Sequence, residues 1–171
     1  MLLIPTSVTH EAVAAEVLAA TAWADRHSLP LTFDAEALRI EVLMAGPSAD
    51  GTDAVQNYLL VGELDSFPAI APAWTFLHPE TRETGAHAFP MVSSSRFGPG
   101  LFIQGGPTGW LICAPFNRLA YAEHQGVHGD WGGATTWKTP RSPYTAVTTI
   151  GGMLDRIWRE VLQSTGRASG R

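Results

Sequence analysis

The stretch Leu38–Leu64, LRIEVLMAGPSADGTDAVQNYLLVGEL, holds two apolar runs separated by turn chemistry. In the first run Leu38, Ile40, Val42 and Met44 fall at every second position, with Arg39 and Glu41 between them. Successive side chains of a strand point to opposite faces, so this alternation predicts a strand with one face in the core. GPSADGTDA, Gly46–Ala54, is a turn segment, and QNYLLVGEL, Gln56–Leu64, resumes strand composition. The stretch therefore predicts an antiparallel hairpin with a loose loop.

Upstream, Thr9–His27 has helical spacing, with Val13, Val17, Ala20 and Ala24 on one face, Thr9 as the expected cap and Glu11 in the first turn. Downstream, DSFPAIAPAW, Asp65–Trp74, is punctuated by prolines that exclude a helix interior or a central strand. It leads into WTFLH, Trp74–His78, read as a third strand. His78–Gly100 is polar and rich in Pro, Gly and Ser, which predicts an irregular insertion, and GLFIQ, Gly100–Gln104, is the expected fourth strand. A brief apolar run spans residues 109–113, and Arg118–Trp137 reads as short helical turns and loop.

The chain closes on a second amphipathic helix. Ser142 is its expected cap and Pro143 its first position, with Ile150, Met153, Leu154, Ile157, Trp158, Val161 and Leu162 forming the apolar face. Gly166 is expected to stop it, leaving residues 166–171 as a flexible tail. The fold class that follows is α+β: an N-terminal helix, a four-stranded antiparallel meander, a cysteine-bearing loop and a C-terminal helix. A length of 171 residues suits one domain, with a core over about residues 10–165.

Composition narrows the function classes. A net charge of -5 with scattered arginines argues against a general affinity for nucleic acid. No apolar run is long enough to cross a bilayer, and the opening MLLIPTSVTH lacks the pattern of a secretory signal, so the cytoplasm is the expected compartment. The single cysteine, Cys113, excludes an intrachain disulfide framework or a Cys-rich zinc site. Lys138 is the sole lysine.

The order of these segments resembles the ubiquitin-conjugating enzyme fold. YLLVGELDSFPAIAPAWTF, Tyr58–Phe76, resembles the family's second strand, proline turn and third strand, with Phe67-Pro68 and Ala71-Pro72 at its proline positions. GWLIC, Gly109–Cys113, resembles the segment that ends in the nucleophilic cysteine. WKTPRSPYTAVTTIGGMLDRI, Trp137–Ile157, resembles the tryptophan, Ser-Pro and amphipathic helix that follow. The family's His-Pro-Asn tripeptide has no counterpart in FIQGGPTG, Phe102–Gly109, and His78-Pro79 lies too far upstream. The resemblance is thus to the divergent bacterial members, some of which are tied to antiphage defence. It implies an ATP-dependent activating enzyme, docked by the first helix and the hairpin region, together with a ubiquitin-like protein and a metal-dependent deconjugating peptidase. It implies neither a cofactor nor a resident metal.

Acyl carriage needs a thiol, because a thioester forms by exchange and stays reactive toward amines. Cys113 is the candidate carrier; the alternative is a buried core residue. Amine attack builds charge on oxygen, which makes Asn117 the candidate oxyanion donor, although it could equally be a turn residue. His124 and Asp130, with His128 beside them in EHQGVHGD, Glu123–Asp130, are candidates to assist proton transfer; the alternative is a solvated loop. Three other readings stay open: a zinc site of Cys113, His124 and His128 with Asp130, a cysteine hydrolase built on the same residues, and a non-catalytic binding module. Trp74 and Trp158 are read as core, and Trp131 and Trp137 as anchors for the loop after the cysteine.

Overall fold

A computed structural model describes residues 6–48, 54–92, 100–104, 109–123, 131, 133–139 and 147–168. The alternating stretch is built as its pattern requires. Strand β2 (Arg39–Pro47) pairs antiparallel with β3 (Val55–Glu63), and β3 with β4 (Ala73–Leu77). Ile40, Val42 and Met44 are fully buried, Leu38 is nearly so, and Arg39 and Glu41 face the other side. Register stacks Val42, Leu60 and Phe76 in one inward row and Ile40, Gly62 and Trp74 in the next. A Cβ on Gly62 would lie 2.3 Å from the Trp74 ring, so only glycine lets that indole lie flat on the neighbouring strand.

The fourth strand of this sheet is β1 (Leu31–Asp34), which pairs with β2 and gives the order β1-β2-β3-β4. GLFIQ does not supply it, contrary to the expectation. Phe102–Gln104 forms β5, which pairs with β6 (Trp110–Ile112) in a separate two-stranded hairpin. LTFD is a short edge strand with alternating half-buried and exposed positions, so it carries little hydrophobic signal. β5 instead pairs with the nearest apolar run in sequence.

Helix α1 runs Thr6–Arg26, starting earlier than expected. Thr9 is therefore a buried interior residue and not a cap, while Val13, Val17, Ala20 and Ala24 form the buried stripe. Helix α3 (Ile150–Val161) packs against β2 and α1. Its cap is Thr149, whose hydroxyl accepts from Gly152 N at 3.2 Å; Ser142 and Pro143 lie outside the described residues. Glu16 of α1 adds a second acceptor there, taking the Ile150 N–H at 2.8 Å. Trp74 lies beneath α3 and donates its indole N–H to Met153 Sδ at 3.3 Å. Trp158 packs more loosely, edge-on to Trp23.

The helix ends at Val161, before Gly166, and the chain beyond it does not fray at once. Met91 N donates to Gly166 O at 2.7 Å and Ala168 N to Phe89 O at 2.9 Å, with Arg167 bridged to Pro90. Gly166–Ala168 thus act as a short strap rather than as the start of a flexible tail. It pairs alongside Phe89–Met91, and the Phe89 ring packs edge-to-face on Phe76 at 5.3 Å. Among the described residues no helix is long and apolar enough to cross a membrane.

Candidate functional site

The hairpin β5–β6 carries Cys113 as the residue after its last strand position. Phe102 fixes the hairpin to the body by packing edge-to-face on Phe76 at 5.4 Å, and Ile112 is fully buried. The pairing Phe102↔Ile112 extends one step further, because Cys113 N donates to Leu101 O at 2.7 Å. The thiol emerges half-buried beside a small apolar cluster of Leu111, Ala120 and Trp131, with Ile103 and Tyr121 at its edge. Burial pushes the thiol up to about 11. On that value only about 1 in 10⁴ molecules holds a thiolate at neutral pH. Reactivity there depends on a change in surroundings or on removal of the proton by another group.

Asn117 is where geometry departs most from expectation. It is fully buried, and its Oδ1 accepts from Trp74 N at 2.9 Å and from Leu119 N at 3.2 Å. Its Nδ2 donates to Trp74 O at 3.0 Å and to Ile112 O at 2.8 Å. An amide has two N–H donors, and both are committed to carbonyls. Asn117 therefore has no proton to offer a developing oxyanion and is a clasp joining β4, β6 and helix α2 (Arg118–Glu123), whose first turn it caps. Its turn-forming alternative is the one this geometry fits.

The clasp is reinforced from both sides. Arg118 N donates to Pro72 O at 2.9 Å, which ties the start of α2 to the proline turn, where the Phe67-Pro68 peptide is cis. The Arg118 guanidinium reaches Glu63 at 3.1 Å and also Asp65. Tyr121 OH donates to Pro115 O at 3.0 Å, closing the turn after the cysteine, and its ring meets Trp131 edge-on at 5.7 Å. Trp131 and Trp137 are both buried, in line with their reading as anchors. Trp137 packs at 6.1 Å from Phe67, and the Lys138 ammonium stands 5.3 Å from each of those two rings.

His124, His128 and Asp130 lie outside the described residues, so the proton-transfer and zinc readings that use them have no geometry here. Among the described residues no three His, Cys, Asp or Glu side chains converge as a metal would require. His78 is engaged in its own turn, with Nδ1 accepting from Glu80 N and Thr81 N at 3.3 Å each.

Two side chains around the cysteine were not singled out from the sequence. Arg118 carried no local signal, since its acidic partners are far away in the chain. Glu160 did carry one: it falls between Ile157 and Val161 on the apolar face of α3, where a carboxylate is out of pattern, and it is fully buried. Compared with known proteins, the chain matches no family model and no curated sequence.

Proposed function

We propose that the chain is a ubiquitin-conjugating-enzyme-like carrier, of the divergent bacterial kind, in which Cys113 accepts a ubiquitin-like protein as a thioester and passes it to an amine. One observation carries the reading: the sole thiol stands half-buried at the end of a hairpin that follows a helix, a four-stranded meander and a proline turn. That is the place where the resembling family holds its nucleophile. The remaining partners follow from the same reading, namely an ATP-dependent activating enzyme and a deconjugating metallopeptidase acting on the products, all in the reducing cytoplasm.

In the loading step the Cys113 sulfur attacks the thioester carbonyl on the activating enzyme. The new S–C bond forms as the old one breaks, and the proton lost by Cys113 ends on the departing thiol. In thiol exchange the sulfur of lower pKa leaves faster. A carrier thiol pushed up to about 11 therefore favours receipt from a more acidic donor thiol and retention of the acyl group until an amine is placed. With Asn117 spent on the clasp, oxyanion stabilisation falls to backbone N–H groups or to a partner.

The test is to mix the protein with an activating enzyme, its ubiquitin-like protein and ATP, and to resolve the products with and without reductant. A reductant-sensitive adduct that is absent in Cys113→Ala and reductant-resistant in Cys113→Ser is the expected result. If the activating enzyme charges itself yet no adduct forms, the carrier reading is wrong and a non-catalytic binding module replaces it.

A further inference from the structure

Glu160 is the one carboxylate among the described residues that is fully buried. A buried carboxylate is costly unless hydrogen bonds replace its water. Two such bonds are visible. Oε2 accepts from Arg156 Nη1 at 2.9 Å, one turn back on α3, and Oε1 accepts from Leu101 N at 3.3 Å. The first is an ordinary i,i+4 pair. The second crosses from the C-terminal helix to the hairpin and lands on the residue whose carbonyl receives the Cys113 N–H at 2.7 Å.

Leu101 is itself buried and lies opposite Cys113 just beyond the β5–β6 ladder, and its N–H bonds to the Glu160 carboxylate. An apolar residue at 160 would complete the α3 stripe and leave that N–H without this partner. The Cys113 peptide is thus held from two directions: Leu101, tethered by Glu160, takes its N–H, and Asn117 takes the carbonyl of Ile112 just before it. Both bonds fall on the one Ile112–Cys113 peptide group: Asn117 holds its carbonyl and Leu101 its N–H.

We propose that Glu160 is a positioning residue for Cys113, acting through Leu101 to fix the hairpin end from which the thiol projects. The inference rests on the reading of Cys113 as the reactive group, but it concerns the protein alone and is testable without any partner.

The experiment compares Glu160→Leu, Glu160→Asp and Glu160→Gln for iodoacetamide alkylation of Cys113 across pH and for hydrogen exchange of the Cys113 amide, with thermal melts to confirm folding. In the unaltered protein alkylation should rise about tenfold per pH unit through the alkaline range, because thiolate is the reacting form. Leucine has no acceptor, and aspartate draws the carboxylate back by one methylene. Both should release the hairpin end, speed alkylation about tenfold near pH 8 by solvating the thiolate, and abolish protection of the Cys113 amide. Glutamine retains an acceptor of the same reach and should restore the unaltered profile.

A folded Glu160→Asp with unaltered alkylation and exchange overturns the proposal. So does a Glu160→Gln that behaves like the aspartate variant, since the ion pair with Arg156 would then be what matters. If Glu160→Leu does not fold, the Asp and Gln pair decides alone. Failure of thioester formation with this pattern intact discards the carrier reading and leaves the tether standing, whereas thioester formation without the pattern does the reverse.

Discussion

The sheet-and-helix body and the region around Cys113 are built on different physics. In the body, Ile40, Val42, Met44, Leu60, Trp74 and Phe76 from the sheet meet Met153, Leu154 and Ile157 from α3, all buried, and backbone ladders satisfy the polar groups. Around the cysteine the apolar cluster is small, and position is set by individual polar bonds: Asn117 to Trp74 and Ile112, Cys113 N to Leu101, and Glu160 behind Leu101. Many weak contacts tolerate the loss of one, whereas a clasp of four bonds on one side chain does not. A thiol that sits half in solvent is not held by burial alone.

The comparison breaks first at its strongest point. Phe76→Ala removes a fully buried ring that meets Tyr58, Phe89 and Phe102, and should lower unfolding free energy by about 3–5 kcal/mol in chemical denaturation. Because Phe102 loses its neighbour as well, a loss nearer 1 kcal/mol would mean that the hairpin is not seated on the body as described.

Asn117→Ala sharpens the contrast. It deletes little apolar volume, yet it strips partners from both backbone polar groups of Trp74 and from the Ile112 carbonyl, so a loss of about 2–3 kcal/mol is expected. Asn117→Asp keeps the acceptor for Trp74 N but sets a buried carboxylate against the Trp74 and Ile112 carbonyl oxygens, and should cost at least as much as alanine at neutral pH. Were Asn117→Ala to unfold at the same denaturant concentration as the unaltered protein, the clasp would carry no weight in the fold.

The smallest effect belongs to a polar contact on the outer face of the sheet, where Arg82 Nη1 donates to Glu41 Oε2 at 2.9 Å. That hydrogen bond is the main reason the Glu41 carboxyl lies below its ordinary value of 4.5. A depressed carboxyl contributes stability above the unfolded value and loses it as pH falls through the folded one. Arg82 is 47% exposed, so Glu41→Gln should cost no more than about 0.5–1 kcal/mol at neutral pH. The difference should shrink with added salt and vanish once the carboxyl is protonated in both states. A cost equal to that of Asn117→Ala would erase the distinction between a buried clasp and a surface pair.

Much of the body was legible before any coordinates. The alternation over Leu38–Met44 placed four side chains on the inner face, the spacing Val13, Val17, Ala20, Ala24 gave the buried stripe of α1, and the run from Ile150 gave that of α3. The errors cluster where burial is partial or pairing is local. β1 is short and half-exposed, α1 begins before Thr9, and β5 joins β6 instead of the sheet. The caps lie elsewhere than the local pattern suggests: Thr9 is inside α1, and Thr149 receives the Gly152 N–H at the start of α3. Around the cysteine the sequence pointed at Cys113 and Asn117 but could not assign Asn117 its task.

By itself, then, the sequence determined which faces are apolar, and hence a helix, an antiparallel sheet and a second helix around one core, with a single thiol set after the last short strand. Periodicity is a property of neighbouring residues, so a local pattern suffices to announce it. Only the tertiary structure decided which strand closes the sheet, that Gly166–Ala168 pair alongside Phe89–Met91, that both Asn117 protons are taken, and that Glu160 reaches Leu101 from 59 positions away. Those outcomes depend on directional bonds between groups far apart in the chain, and such bonds leave no period in the sequence.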